Sequence, residues 1–251
     1  MGREARAHRP SSAPGGTVAV LSSELSRYAA FHQCFAALET PPATQVLWQT
    51  SGVGTIARAR NKIVQQFTGD WVWMIDDDHV FAPDVLHRLI QRLDDDRVDA
   101  VVPLCLKRTP PFRPVLFRWN EEGKARHLAT REMVAERGLI EIGAGPGAGL
   151  LVRRRVFDRM APPWFAVGQD VSDLLGEDTF FYRRMRDAHC RVFADLDVQI
   201  GHVTSVAIWP GHPNSGARLQ WLHVGSKQSA AAAEMERLSV SSGAPVELVE
   251  T

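Results

Sequence analysis

WVWMIDDDHVF, residues 71–81, is the stretch whose reading decides the fold. Five mostly large apolar residues, Trp71 to Ile75, stop abruptly at three carboxylates, Asp76, Asp77 and Asp78, followed by His79. An apolar run of that length with polar bounds predicts a buried strand. In an open α/β sheet, ligands bind beyond the carboxyl ends of the strands. This strand therefore delivers negative charge to the place where a ligand sits. Adjacent carboxylates repel one another unless water or a cation compensates them. Hard oxygen ligands suit Mg²⁺ or Mn²⁺, and those ions in turn suit a diphosphate. The competing reading is a solvated turn whose aspartates cap the next helix, and the segment alone leaves both open.

Outward from this strand the pattern alternates. Thr17 to Leu21 predicts a first strand, and Ser22 or Ser23 caps a helix that runs to the region of Leu38, where Pro41 and Pro42 break it. Gln45 to Trp48 predicts a second strand. Ile56, Arg60, Ile63 and Phe67 then recur at helical spacing behind the turn Ser51-Gly52-Val53-Gly54. Pro83 opens a further helix with Val85, Leu86, Leu89, Ile90 and Leu93 on one face, and Val98 to Val102 is the next strand. This β-α-β-α-β-α-β order predicts an α/β fold with a mostly parallel central sheet flanked by helices and joined by right-handed crossovers. The second half is less regular. Short strands at Leu139–Ile142 and Gly149–Val152 flank the link GAGPGAG (143–149), Val156 to Met160 predicts one or two helical turns, and Asp178 to Ala188 predicts a helix. Late strands fall at Val192–Ala194 and Val198–Ile200.

The bulk composition removes some function classes. Acidic and basic residues balance at 29 each, so charge argues for neither a nucleic-acid nor a membrane-surface partner. No apolar stretch has the length of a membrane span. Residues 1–16 read as a flexible leader without the apolar core of a secretory signal, residues 17–223 as one domain, and residues 224–251 as a tail, partly disordered or helical. Cys34, Cys105 and Cys190 form neither a zinc pattern nor a disulfide framework, and read as small buried hydrophobes in a reducing compartment. The expected location is cytoplasmic, or peripheral at a membrane.

Four constellations carry chemistry. Asp76 and Asp78, one residue apart, share a face on an extended strand end, whereas Asp77 points away into a structural role. Glu177 and Asp178 sit at a helix start, where the backbone dipole favours the anion, as a general base requires; plain helix capping is the alternative. His202 follows an apolar run and is a candidate ligand, since a neutral imidazole there can complete a metal shell begun by carboxylates; a surface or hydrogen-bonded histidine is the alternative. The GAGPGAG link meets a loose dinucleotide fingerprint, but a strand rather than a helix follows it, so it reads as a side-chain-free wall beside a ligand. Arg58, Arg60, Lys62, Lys107, Arg108 and Arg113 lie near predicted element ends, and charge alone assigns none of them.

The order AxARNKIV, WVWMIDDDH, GAGLLVRRRVF, PWF, GEDTFFYRRMRDA and a late GH resembles a GT-A glycosyltransferase of family 2 type over roughly residues 17–205. The resemblance implies a single GT-A domain that binds a nucleotide-diphosphate sugar through Mn²⁺ or Mg²⁺. It implies Asp76 on the ribose or metal, Asp78 on the metal and His202 completing the metal shell. Asp178 would be the base that deprotonates the acceptor hydroxyl in inverting transfer, and Arg60 a contact to the nucleotide. The acceptor stays open among glycan, lipid carrier, protein and small molecule. Three departures stand out: the first strand lacks the usual Pro-rich opening, no acid follows the second strand, and His189 stands where many relatives have Gly. A retaining glycosyltransferase, a sugar-nucleotide pyrophosphorylase and a non-catalytic sugar-nucleotide-binding subunit are the competing expectations.

Overall fold

Alternate residues of the predicted strands are apolar on both faces, which requires helices on both sides of one sheet. The computed structural model describes residues 15–22, 28–51, 55–108, 112–128, 137–167, 176–209 and 218–222, and has this layering. The strands are β1 (Thr17–Ser22), β2 (Gln45–Thr50), β3 (Trp71–Asp76), β4 (His79–Phe81), β5 (Ala100–Leu104), β6 (Phe117–Trp119), β7 (Ala125–His127), β8 (Leu139–Ile142), β9 (Leu150–Arg153) and β10 (Val192–His202). The helices are α1 (Ala29–Ala36), α2 (Ile56–Gln66), α3 (Val85–Arg92), α4 (Arg154–Asp158) and α5 (Glu177–Asp187). The sheet runs β2-β1-β3-β9-β5-β10-β4, with β8 also paired to β10. β1 is parallel to β2 and β3, and β5 is parallel to β10. β9 is inserted antiparallel between β3 and β5, which makes the sheet mixed.

The pleat sends alternate residues to two separate cores. Ala19, Leu21, Val72, Met74, Leu150 and Val152 pack with Ile63 and Val64 of α2 and with Phe181 and Met185 of α5. Val18, Val20, Trp71, Trp73, Ile75 and Leu151 pack on the other face with Phe31 of α1 and with Leu86 and Leu89 of α3. The expected sheet and helices are thus present, and several boundaries and pieces differ. Ser22 is not the N-cap of α1, which is Tyr28. Ser22 ends β1, and its Oγ donates to the buried Asp77 carboxylate at 2.7 Å, while α1 starts at Ala29. The fold also takes in the end of the leader. Gly15 O accepts from Asp70 N, and a Cβ on Gly16 would lie 2.1 Å from the Trp71 ring. The rest of the leader, Ser23, Gly52 to Gly54 and the 224–251 tail lie outside the described residues.

Three local features were not legible beforehand. β4 pairs antiparallel with β10, setting His79 opposite His202. The two expected late strands are one strand, β10, with a register irregularity between Asp195 and Gln199. The polar stretch after Pro114 forms the β6–β7 hairpin, closed at Asn120 to Lys124 and joined to the glycine link by the Phe117–Ala144 bridge. The chain divides into two units, Met1–Val203 and Thr204–Thr251. In the second, Ser205–Trp209 and Arg218–Leu222 form an antiparallel hairpin.

Candidate active site

β3, β5 and β10 each end toward one edge of the sheet, and their ends carry two different charge clusters. The first is built around Arg60 of α2. The helix is capped by Thr55, whose hydroxyl accepts from Arg58 N (3.3 Å), and its apolar face buries Ala57, Ile63 and Val64. Arg60 lies on that buried face and is only 1% exposed. Its Nη1 donates to Gly147 O (2.7 Å) and its Nη2 to Asp76 Oδ1 (3.2 Å), while Nε lies 3.5 Å from Glu177 Oε1. Burial alone would lower its pKa, but Asp76, Glu177 and Asp178 outweigh it and raise it. One guanidinium therefore ties the end of β3 to the start of α5 and to the glycine link.

That link faces protein. A Cβ on Gly147 would lie 2.7 Å from Arg60 Nη2, one on Gly145 3.0 Å from Val102, and one on Gly149, at φ +76°, 2.7 Å from Pro103. Tyr182 Oη donates to Pro146 O (2.8 Å). Close packing of backbone on side chains explains the glycines here. Asn61, next to Arg60, accepts at Oδ1 from the backbone N–H groups of Trp164 and Phe165 and donates from Nδ2 to Phe165 O. It pins the PWF segment beside α2. Asp178 Oδ1 accepts from Thr179 N (2.6 Å) and Oγ1 (3.3 Å). Burial pushes the Glu177 carboxyl above its ordinary value, with Asp178 adding to the rise and Arg60 opposing it.

The second cluster surrounds Asp78. Its Oδ2 accepts from Arg108 Nη1 (3.0 Å) and lies 3.4 Å from His202 Nε2, and its Oδ1 lies 2.8 Å from His79 Nδ1. That last pair is at ion-pair distance but off hydrogen-bond alignment, so both atoms are buried without a hydrogen-bond partner. The cross-strand register stacks the His79 and His202 rings, with centroids 4.4 Å apart. Cys105, just beyond β5, places Sγ 3.7 Å from His79 Nε2. Burial works against the Asp78 anion, yet His202 and His79 overcome it and hold the carboxyl far below the usual range. Burial likewise opposes a charged His79, but Asp78 and Cys105 raise it to about 10. Burial would raise the Cys105 thiol, while the two imidazoles bring it down to about 7.

The structure thus brings Asp78 together with His202, and Arg60 together with Asp76 and Glu177. It gives the two aspartates different partners, although they are one residue apart. Asp77 takes the structural role expected of it, through Ser22. His79, Cys105 and Arg108 join the site without having been assigned to it. The sequence signal for His79 was its place directly after the aspartates; Cys105, alone in PLCLK, carried none.

The donor set fits a small divalent cation. Two ligands of one such ion lie roughly 3 to 3.5 Å apart, as Asp78 Oδ2 and His202 Nε2 do. Asp78 Oδ1 makes no hydrogen bond but lies 2.8 Å from His79 Nδ1, and Oδ2 already accepts from Arg108, so a cation there would displace or share these partners. Asp76 has its charge already met by Arg60.

Comparison with known proteins places the fold and the family. No curated protein sequence matches the chain. Among solved structures it is similar to A197 from STIV, at 13% identity and a TM-score of 0.53, covering 85% of this chain and 98% of that one. It is also similar to GalNAc-T7, solved with UDP, GalNAc and Mn²⁺, at 12% identity and a TM-score of 0.52, covering 75% of this chain and 44% of that one. At such identities the likeness shows a shared fold. The family model described as "Glycosyl transferase family 2" matches residues 27–160, which take in α1 to α4, Arg60 and the aspartates at the end of β3. With more than half of its length matched, the chain belongs to glycosyl transferase family 2 and is a glycosyltransferase.

Proposed function

We propose that this enzyme moves a sugar from a nucleotide-diphosphate donor to an acceptor hydroxyl with inversion, using a divalent cation held by Asp78 and His202. The observation that carries the proposal is the 3.4 Å approach of Asp78 Oδ2 to His202 Nε2 at one sheet edge of a family 2 chain. GalNAc-T7, which shares the fold, was solved with UDP, GalNAc and Mn²⁺, and this supports a nucleotide and a divalent cation as ligands of the chain.

When bound, Mn²⁺ or Mg²⁺ there offsets the charge of the departing nucleoside diphosphate. The chain's own residues do the rest. Arg60 fixes Asp76 so that its carboxylate meets the ribose. Asn61 holds the Trp164–Phe165 backbone as one wall of the sugar site. Asp178 takes the proton from the acceptor hydroxyl as that oxygen attacks the anomeric carbon, and its place at the start of α5 couples it to Asp76 through Arg60. The acceptor class stays open among glycan, lipid carrier, protein and small molecule. No helix among the described residues is long and apolar enough to cross a membrane; we place the enzyme in the cytoplasm, free or peripheral at a membrane.

The test is calorimetric titration of UDP, GDP and dTDP with and without Mn²⁺, on the wild type and on Asp78→Ala. One nucleotide should bind only with Mn²⁺, and the variant should lose that binding; metal-independent binding in both would refute the cation role. Asp178→Asn should keep donor binding and lose about a hundredfold to ten-thousandfold in rate. An α-to-α or β-to-β relation between donor and product by NMR would replace inversion with retention.

A further inference from the structure

Beyond the donor-site cation, a second set of ligands shares one of its atoms. Sγ of Cys105 and one ring nitrogen each of His79 and His202 all lie within 4.8 Å of one another. Cys105 Sγ and His79 Nε2 are 3.7 Å apart. Ligands of a tetrahedral zinc ion with Zn–N near 2.0 Å and Zn–S near 2.3 Å lie roughly 3.3 to 3.8 Å from one another. Both imidazoles are also oriented from behind. His79 Nδ1 faces Asp78 Oδ1 at 2.8 Å, and His202 Nδ1 lies 3.1 Å from Leu106 O. An acceptor oxygen beside one ring nitrogen favours the proton on that side, so that the other nitrogen is the one that loses its proton to a metal, as in metal-ligating histidines generally. In each ring that other nitrogen is Nε2. The three groups come from three strand ends. His79 opens β4, Cys105 follows β5, and His202 closes β10, and the cross-strand register of His79 with His202 holds the rings in place.

We infer that His79, Cys105 and His202 form a thiolate–imidazole site for Zn²⁺ or another thiophilic divalent ion. A thiolate with two imidazoles is a poor set for Mg²⁺ or Mn²⁺, which take oxygen ligands, and a good one for Zn²⁺ and Co²⁺. Metal binding releases the Cys105 thiol proton, and the Nε2 proton of any imidazole that is charged, to solvent; the metal–sulfur and metal–nitrogen bonds form with no change of oxidation state. The site takes His202 Nε2, the atom that the donor-site cation requires. Zn²⁺ and Mn²⁺ are therefore mutually exclusive at His202, and zinc binding silences Mn²⁺-dependent nucleotide binding. This exclusion rests on the donor-site reading above; the zinc site itself does not.

The test is titration of the full-length, metal-free chain with Co²⁺. The wild type and Cys34→Ser should show intense visible bands of tetrahedral cobalt and a near-ultraviolet thiolate-to-cobalt charge-transfer band. Cys105→Ser should lose the charge-transfer band, and Zn²⁺ should bleach the wild-type spectrum. A wild type without the charge-transfer band, or a Cys105→Ser variant that retains it, overturns the site. Should Cys105→Ser fail to fold, X-ray absorption of the zinc-loaded wild type decides: one sulfur scatterer in the first shell is expected, and a shell of oxygen and nitrogen alone overturns the proposal. Mn²⁺-dependent UDP, GDP and dTDP binding by the wild type separates the two readings. A cobalt–thiolate band without any such binding sinks the donor-site cation and leaves the zinc site standing. Nucleotide binding without the band does the reverse. With both present, undiminished nucleotide binding at saturating Zn²⁺ would overturn the exclusion.

Discussion

Asp78 and Glu177 have equally buried side chains, each 16% exposed, yet they are displaced in opposite directions. Asp78 is held far below the ordinary carboxylate range, because two imidazoles outweigh its burial. Glu177 is raised above it, because burial and Asp178 outweigh a guanidinium that it shares with Asp76. Burial is the same for both and partners decide the sign. One region is a closed internal network that sets backbone elements against each other through Arg60. The other gathers several titratable groups at three strand ends, and such groups can exchange a proton for a metal.

The largest expected effect breaks the Arg60 network. Arg60→Met leaves the part-buried Asp76 and Glu177 without their shared buried cation, and removing one member of a buried ion pair typically costs about 3–5 kcal/mol. Urea unfolding should show a loss of that size, and a loss under about 1 kcal/mol would mean that Arg60 is not the hub of the first cluster. Next comes the sign of the contrast itself. Asp78→Asn should cost about 1.5–3 kcal/mol near neutral pH, the range for hydrogen bonds to charged groups. A depressed carboxyl contributes stability above its unfolded value of 3.8, and that contribution fades as pH falls toward the lower folded value. The gap between wild type and Asp78→Asn should therefore narrow below pH 3.8. For Glu177 the sign reverses. Its raised value favours the protonated fold, so this contribution is complete below 4.5 and is lost as pH rises through the folded value. Wild type should lose stability relative to Glu177→Gln across that window, measured by denaturation at stepped pH. Parallel curves for the two variants would remove the contrast.

The smallest effect lies outside both clusters and calibrates them. α5 ends in a Schellman turn, with Cys190 N bonded to Met185 O and His189 N to Arg186 O. The turn holds His189 at φ +54°. A non-glycine residue there is strained by about 1–2 kcal/mol. His189→Gly should thus stabilise the fold by about 1 kcal/mol after its larger unfolded-state entropy is counted. Scanning calorimetry should show a rise of about 2–4 °C in Tm. The two backbone hydrogen bonds of the turn form with histidine in place, so the helix ends here without a glycine.

Much of this was legible in the chain, and what was not follows one rule. Hydrophobic periodicity is local, so Trp71 to Ile75 announced a buried strand, and Leu86, Leu89 and Ile90 a helix face, without reference to anything distant. The abrupt change from Ile75 to Asp76 likewise located the site edge. Ser22 misled as a helix cap, because its partner, Asp77, is 55 residues away. The β6–β7 hairpin escaped notice because its strands are three residues long, too short for a pattern to show.

By itself, then, the sequence determined the alternation of strands and helices, the strand end that carries the acids, and the late histidine that meets them. Only the tertiary structure decided which acid receives which partner. The antiparallel insertion of β9, the pairing of β4 with β10 and the arrival of Cys105 beside His79 depend on registers between segments dozens to more than a hundred residues apart. The physical reason is range. A side chain's face is set by its neighbours in the chain, whereas the charge it finally meets is set by strands that come together only when the sheet closes.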